Sequence, residues 1–208
     1  MRMPKRLLFL TMLICLACAG LAYAKTINGT NATDTLVGTK GADRIDARGG
    51  LDTVFGLSGD DRIIGGSGDD AIQGDGSCPS GTSGNLDGCK QIAGRGDDNI
   101  QGNSGEDVVA ANFGNDVVSG GAHVDNLTGG PGNDRISGGT GDDTIHAGSG
   151  RDRVTGGSGV DKLLGNSGND TFFARDRRKD WIDCGPGRDT VFADRGDRVR
   201  KCERVRRR

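Results

Sequence analysis

The chain has 208 residues, of which 39 are glycine and only 8 are aromatic. This composition excludes an ordinary globular core, because glycine loses the most backbone entropy on folding and few large side chains offset that loss. The charge is divided: residues 25–170 hold 11 basic and 22 acidic side chains, a net of −11, whereas residues 171–208 hold 13 and 7, a net of +6. The acidic body argues against nucleic acid as a partner and favours cations. The basic end suits either an anionic cell-surface polymer or a solvated terminus.

The first 24 residues have the features of a secretory signal. Three basic residues precede the apolar stretch 7–18, and Ala22-Tyr23-Ala24 fits a small-x-small cleavage site. We therefore expect an extracellular protein whose mature chain starts at Lys25. The apolar run is short for a membrane span, which needs about 20 residues, so we expect no stable membrane insertion. An uncleaved anchor and a lipid on Cys18 are the alternatives.

An aspartate recurs every nine residues along most of the chain. An apolar residue follows each of these aspartates by two positions, and a glycine precedes most of them by two. A fixed period of this kind indicates a repeat architecture. The aspartates are Asp34, Asp43, Asp52, Asp61, Asp70, Asp98, Asp107, Asp116, Asp125, Asp134, Asp143, Asp152, Asp161 and Asp170.

The period divides the chain after the signal into four parts. Residues 25–73 carry the first repeats, and residues 74–95 form an insert rich in Gly and Ser, in which Ile92 can still mark a degenerate unit. Residues 96–173 keep the period without a break. We predict that residues 174–208, where the spacing slips and basic side chains accumulate, form a C-terminal cap, because the ends of a repeat stack need a polar face.

Four cysteines remain outside the signal, namely Cys78, Cys89, Cys184 and Cys202. An even number in an exported chain predicts two disulfides. Cys78 with Cys89 would close the insert. Cys184 and Cys202 are 18 residues apart, which is two repeat units, so they would stack at about one strand spacing, ~4.8 Å. The two other pairings stay open, and zinc binding is disfavoured because no Cys-x-x-Cys pair is present.

Each unit reads as one short strand and one turn. In Asp134-Arg135-Ile136-Ser137 the alternation of polar and apolar residues predicts a three-residue strand with Ile136 facing inward. Such a strand needs neighbours, and stacking of equivalent strands gives a parallel sheet. Two units then close one coil, so the sequence predicts an all-β solenoid with two parallel sheets and a narrow core of Ile, Val and Leu.

Stacking also places the aspartates of every second unit in a column. Two unit charges about 4 Å apart repel by roughly 1 kcal/mol in water and by more where solvent is excluded. Basic residues are too few in the turns to neutralise the columns, so a bound metal is the simplest counter-charge. Carboxylate and carbonyl oxygens in a flexible arrangement favour Ca²⁺ over Zn²⁺ or Cu²⁺.

The units resemble the RTX, or haemolysin-type, calcium-binding repeats, whose motif is Gly-Gly-x-Gly-x-Asp-x-apolar-x. Residues 65–73 and 138–146 match this motif in full. The resemblance implies a parallel β-roll with Ca²⁺ between successive turns, held by repeat aspartates and turn carbonyls. The chain departs from the motif at His123, at Ala47-Arg48 and at Ala111-Asn112. It also has an N-terminal export signal and a basic C-terminus, so a toxin activity is not implied.

The predicted calcium ligands are twelve of the repeat aspartates. Asp34, in the first turn, and Asp125, with His123 two residues before it, are left out. The second carboxylates of the turns, such as Asp60 and Asp142, are predicted to be solvated. The twelve are Asp43, Asp52, Asp61, Asp70, Asp98, Asp107, Asp116, Asp134, Asp143, Asp152, Asp161 and Asp170.

No catalytic pattern accompanies the repeats. The two histidines, His123 and His146, form no metal-binding pair, and no nucleophile elbow or phosphate-binding loop occurs. We therefore expect a non-catalytic protein whose partner is Ca²⁺. The alternative is a cell-surface adhesion or matrix module that binds a polymer through outward strand residues such as Phe55, Ile64 and Leu164.

Overall fold

The computed structural model describes residues 24–75 and 96–208, and these form 19 β-strands and no helix. The strands alternate between two sheets along the chain. The first sheet has ten strands: β1 Thr26–Asn28, β3 Arg44–Asp46, β5 Arg62–Ser67, β7 Asn99–Ser104, β9 Val117–Ala122, β11 Arg135–Thr140, β13 Arg153–Ser158, β15 Thr171–Ala174, β17 Thr190–Ala193 and β19 Arg204–Arg207. The second has nine: β2 Thr35–Val37, β4 Thr53–Leu57, β6 Ala71–Asp75, β8 Val108–Ala110, β10 Asn126–Pro131, β12 Thr144–Gly150, β14 Lys162–Gly168, β16 Trp181–Asp183 and β18 Arg198–Arg200.

All strand pairs are parallel and join residues of successive coils. Ile136 of β11 pairs with Val154 of β13, and Leu127 of β10 pairs with Ile145 of β12, in each case 18 residues further along. Two nine-residue units therefore make one coil, with one strand in each sheet. The predicted all-β parallel solenoid is confirmed.

Thirteen of the 19 described strands are longer than the predicted three residues. In the central coils they run for six or seven residues, as in β11 and β12, and include glycines of the following turn. Gly139, for example, pairs with Gly157 of the next coil although its φ is +120°. Pairing continues because glycine reaches this φ without steric cost. The turns are correspondingly short and tightly stacked.

The core has two inward residues in many units, one more than predicted. The apolar residue two positions after each repeat aspartate is buried except for the half-buried Leu36, and Phe172 is the largest of these. The residue two positions further on also faces inward. Where this second residue is not glycine it is small: Ala47, Ala111, Ala147, Ala174, Cys184 and Ala193. The two sheets lie too close together at this second inward position to accommodate a larger side chain.

The described strands on either side of the insert pair with each other. β5 pairs directly with β7, and β6 pairs directly with β8. β6 continues to Asp75, two residues beyond the predicted end of the first block. Ile92, Cys78 and Cys89 lie outside the described residues.

The C-terminal segment continues the two sheets. β16 to β19 pair in the same parallel order as the strands before them. Cys184 and Cys202 form a disulfide with a Cα–Cα distance of 5.3 Å across two successive coils, as predicted. Closing a loop of this length stabilises the fold by about 3 kcal/mol. β19 is exposed along its length and carries three arginines, charges that oppose edge-to-edge pairing. A capping role for residues 174–208 stays a prediction.

Several side chains occupy left-handed backbone positions where the repeat motif has its second glycine. Leu57 has φ +88° and Asn103 has φ +80°. The left-handed conformation costs an ordinary L-residue roughly 1–2 kcal/mol, and asparagine adopts it more readily. We expect Leu57→Gly to raise the midpoint of urea unfolding measured with Ca²⁺ present. Asn103→Gly, the matched control, is expected to change it less. A lower midpoint for Leu57→Gly would show that its side-chain packing outweighs the backbone strain.

Candidate metal centre

All twelve predicted ligands lie in two columns, one along each sheet. Each aspartate immediately precedes a strand, and each is at most 4% exposed. The column before the odd-numbered strands contains Asp43, Asp61, Asp98, Asp116, Asp134, Asp152 and Asp170. The column before the even-numbered strands contains Asp52, Asp70, Asp107, Asp143 and Asp161.

One oxygen of each carboxylate is tied to the backbone of the preceding coil. The backbone N–H of Asp116 donates to Oδ1 of Asp134 at 2.9 Å, and the N–H of Asp134 donates to Oδ1 of Asp152 at 2.8 Å. The same bond repeats along both columns. No feature of the sequence indicates this bond. These charge-assisted bonds offset part of the repulsion between stacked aspartates.

The other oxygen has no partner in most units. Asp43 is the exception among the twelve: its Oδ1 accepts from the N–H of Lys25 at 2.6 Å and its Oδ2 from the N–H of Thr39 at 2.5 Å. A buried carboxylate oxygen without a hydrogen bond is costly. Eleven of the twelve have a buried, unpartnered Oδ2: Asp52, Asp61, Asp70, Asp98, Asp107, Asp116, Asp134, Asp143, Asp152, Asp161 and Asp170.

Burial raises the pKa of most of these carboxyls well above the usual value. It raises the pKa of Asp134 to about 7, where the charges of Asp116 and Asp152 act in the same direction and the N–H of Asp116 opposes them. Burial raises the pKa of Asp98 to about 8. Full ionisation of the columns is therefore disfavoured at neutral pH.

Eight of the eleven unpartnered Oδ2 atoms lie close to a bare glycine Cα. A Cβ on Gly65 would lie 2.6 Å from Oδ2 of Asp70 and 3.0 Å from the carbonyl oxygen of Gly102. A Cβ on Gly138 would meet Oδ2 of Asp143 and the carbonyl oxygen of Gly156. The other three aspartates, Asp52, Asp116 and Asp152, have an alanine at the equivalent position and keep the same unpartnered oxygen.

The donor set fits Ca²⁺. Within residues 24–75 and 96–208, no three His, Cys, Asp or Glu side chains converge on one point. Any ion in the columns therefore takes one or two carboxylates and completes its shell with backbone carbonyls. Ca²⁺ accepts six to eight oxygens in a flexible geometry, whereas Zn²⁺ prefers nitrogen and sulfur ligands.

The columns contain four further aspartates that the sequence analysis did not select as ligands. Asp125 is 1% exposed, accepts the N–H of Asp107 and has an unpartnered Oδ2, so the histidine before it does not disturb its position. Asp180, Asp189 and Asp197 continue the columns although their spacing slips. In the sequence, the apolar residue two positions after each of these aspartates indicates that it belongs to a repeat unit.

The second carboxylates of the turns are exposed, as predicted, but they are not merely solvated. Oδ1 of Asp60 accepts the N–H of Asp97, and Oδ1 of Asp142 accepts the N–H of Val160, in each case from the following coil. Asn115 and Asn133 make the same contact. This outer ladder stacks the turns through neutral and charged residues alike.

The chain matches a known repeat family over most of the solenoid. The profile of the RTX calcium-binding nonapeptide repeat matches residues 28–62, 48–77, 92–122, 119–154 and 137–172. These ranges cover more than half of the chain, so the chain belongs to the RTX calcium-binding nonapeptide repeat family. Repeats of this family bind calcium, and its members are typically extracellular. No curated protein matches the chain.

The described ranges contain no helix that is long and apolar enough to span a bilayer. Residues 1–23, which include most of the predicted signal, lie outside these ranges.

The raised pKa values predict how the calcium-free chain responds to pH. The folded state binds protons more tightly than the unfolded state, because the pKa of Asp134 is about 7 when folded and near 3.8 in a free chain. The free energy of unfolding should therefore fall as pH rises from about 4 to about 7. We expect a higher urea midpoint at about pH 5 than at about pH 8 in chelator. The opposite order would show that the columns are not proton-linked.

Proposed function

We propose that this chain is an exported, non-catalytic calcium-binding protein whose β-roll is stabilised by Ca²⁺. The observation that carries the proposal is the buried Oδ2 without a hydrogen bond, which recurs in eleven of the twelve predicted ligands. The bound ion supplies positive charge and a flexible shell of hard-oxygen contacts. The chain supplies the carboxylates of the two columns and the carbonyls of the Gly-rich turns.

The stabilisation follows from linkage. An ion that binds the folded columns, and has no equivalent site on the unfolded chain, adds RT ln(1 + [L]/Kd) to the free energy of unfolding for each site. With one or two carboxylates per ion, each site is expected to have an affinity on the order of 10⁻⁴–10⁻³ M, as in extracellular calcium modules. Many weak sites in one cooperative solenoid would then act together.

Calcium binding can be measured directly by equilibrium dialysis of the purified chain. We expect saturable binding of several Ca²⁺ ions per chain. Mg²⁺ at the same concentration should bind less, because it demands a near-ideal octahedral shell. Absence of saturable Ca²⁺ binding up to about ten times the expected Kd of 10⁻³ M would overturn the proposal.

The absence of catalysis and the export are part of the proposal and rest on the sequence. Neither histidine shows an arrangement suited to acid–base chemistry: His123 is exposed, with Nδ1 2.8 Å from the carbonyl oxygen of Ala122, and His146 lies on an outward strand face beside Lys162. Export rests on the signal features of residues 1–24. Secretion of a fusion to a reporter, lost when residues 1–24 are deleted, would test it.

A second candidate function is binding of an anionic surface polymer. Phe55, Ile64 and Leu164 are half-buried and do not form a continuous apolar stripe. A different surface is better suited. The rings of Phe173 and Phe192 stack at 5.1 Å, and the guanidinium group of Arg153 lies 3.9 Å over Phe173.

This aromatic–arginine ladder also includes Arg175 and Arg206, whose guanidinium groups lie 5.2 and 5.6 Å from the centre of the Phe192 ring. Flat rings with cationic edges suit sugar rings that carry carboxylates. We expect the chain to sediment with polygalacturonate and not with neutral dextran. Arg153→Gln should weaken the binding, and Arg135→Gln, two strands from Phe173 and three from Phe192, should not. Equal binding to dextran would exclude this candidate.

A further inference from the structure

Gly74, Asp75 and Gly96 occupy positions of one Gly-rich turn. A Cβ on Gly74 would meet Oδ2 of Asp98, as a Cβ on Gly138 would meet Oδ2 of Asp143. Gly96 stacks on Gly59 in the way that Gly114 stacks on Gly96. Gly74 and Gly96 are therefore the first and fourth positions of the unit that contains Asp98. Asp75 is its second residue.

Asp75 differs from the residues at the second position of other turns. Leu57 and Asn112 adopt a positive φ there, as the glycines do, whereas Asp75 does not. The side chain of Asp75 is fully buried, with 0% exposure. Neither of its carboxylate oxygens makes a hydrogen bond, while each repeat aspartate in the columns leaves at most one oxygen without a partner.

The backbone of Asp75 is held on both sides. It pairs with Leu57 of the preceding coil. On the other side its N–H donates to the carbonyl oxygen of Ala111 at 3.0 Å, and the side-chain amide of Asn112 donates to its carbonyl oxygen at 2.5 Å. These contacts fix the backbone from which the buried carboxylate projects.

The charge of Asp98 acts on the buried carboxyl of Asp75. Burial raises the pKa of Asp75 to about 7, and the charge of Asp98 is the next largest cause, with smaller effects from Asp116 and Asp60. The nearby amide of Gly96 opposes the rise but makes no hydrogen bond to either oxygen. Gly74, the residue before Asp75, has Oδ2 of Asp98 and the carbonyl oxygen of Ala111 against its Cβ position, the carbonyl oxygen at 2.9 Å.

We infer that Asp75 and Asp98 hold a Ca²⁺ ion at the turn that begins at Gly74, with the carboxylate of Asp75 as an additional oxygen ligand. The ion supplies the counter-charge that the buried carboxylate of Asp75 lacks. This inference rests on the proposed calcium-binding function. It adds a ligand at a position where the repeat motif has glycine.

The competing arrangement is a proton shared between Asp75 and Asp98, without an ion. The two are distinguished by the number of bound ions, measured by equilibrium dialysis on the full chain. Asp75→Asn keeps the shape of the side chain, and Asp75→Gly restores the repeat motif. Asp60→Asn is the matched control, because it removes a neighbouring exposed charge and keeps the Oδ1 that accepts the N–H of Asp97.

We expect both Asp75 variants to bind one Ca²⁺ fewer per chain than the unchanged protein and the Asp60→Asn control, with an unchanged far-UV spectrum at saturating Ca²⁺. Equal numbers of ions in all four proteins would overturn the inference and favour the shared proton. A protein that binds no Ca²⁺ at all would overturn the proposed function instead. If Asp75→Asn fails to fold, Asp75→Gly decides.

Discussion

Asp134→Asn is expected to stabilise the calcium-free chain and to weaken its stabilisation by calcium, whereas Asp134→Ala is expected to destabilise the chain in both conditions. Asparagine keeps the Oδ1 that accepts the N–H of Asp116 and removes a buried negative charge. Alanine removes the acceptor and leaves that buried N–H without a partner, which costs about 1–3 kcal/mol. Urea midpoints in chelator and in Ca²⁺ measure both effects.

The control for this pair is Asp142→Asn in the outer ladder. Asp142 is exposed, and its Oδ1 accepts the N–H of Val160, a contact that asparagine preserves. Both substitutions remove one charge, but only Asp134 is buried with an unpartnered oxygen. If the two asparagine variants respond to Ca²⁺ alike, the columns have no special role in binding.

Gly150→Ala is expected to destabilise the solenoid by about 3 kcal/mol or more. Gly150 has φ +139°, and a Cβ there would overlap the carbonyl oxygen of Gly132 in the preceding coil. Such a backbone conformation alone costs an L-residue about 1–3 kcal/mol, and the stacked coils cannot separate without breaking the strand pairs on either side. Calcium does not relieve this overlap, so the loss should appear with and without the ion.

Gly196→Ala is the matched substitution in the C-terminal segment. Gly196 has no positive φ, and its nearest neighbour would be the flexible Cγ of Lys179 at 3.2 Å. We expect a change within about 1 kcal/mol, since a side chain of this kind can move aside. Similar losses at Gly150 and Gly196 would mean that the destabilisation reflects glycine replacement in general and not the stacking of turns.

Most of the fold could be predicted from the nine-residue period. Because the period fixes which residues stack, it predicted the two parallel sheets, the buried Ile136 and Ile145, and the pairing of Cys184 with Cys202. The period underestimated the length of the strands, because a pattern of side chains does not show that glycines such as Gly139 continue the backbone pairing at positive φ. The slipped spacing after Asp170 hid Asp180 and Asp189, because a turn can gain a residue while the strand register is preserved.

Only part of the chemistry of the aspartate columns could be predicted from the sequence. Periodicity showed that carboxylates stack and repel. The bond from the N–H of Asp116 to Asp134, and the free oxygen beside it, depend on the tilt of each side chain, which no spacing encodes. Asp75 was hidden for another reason: it falls in the insert by composition, and only the stacking of Gly96 on Gly59 assigns it to a turn.

The central claim is that the buried aspartate columns need divalent cations to remain stacked at neutral pH. Far-UV circular dichroism of the purified chain at about pH 8, above the raised pKa of about 7 at Asp134, tests it during titration of Ca²⁺ into chelated protein. We predict a cooperative gain of β signal, which EDTA reverses and which Mg²⁺ reproduces poorly. A full β signal and unchanged protease resistance in chelator would contradict the claim.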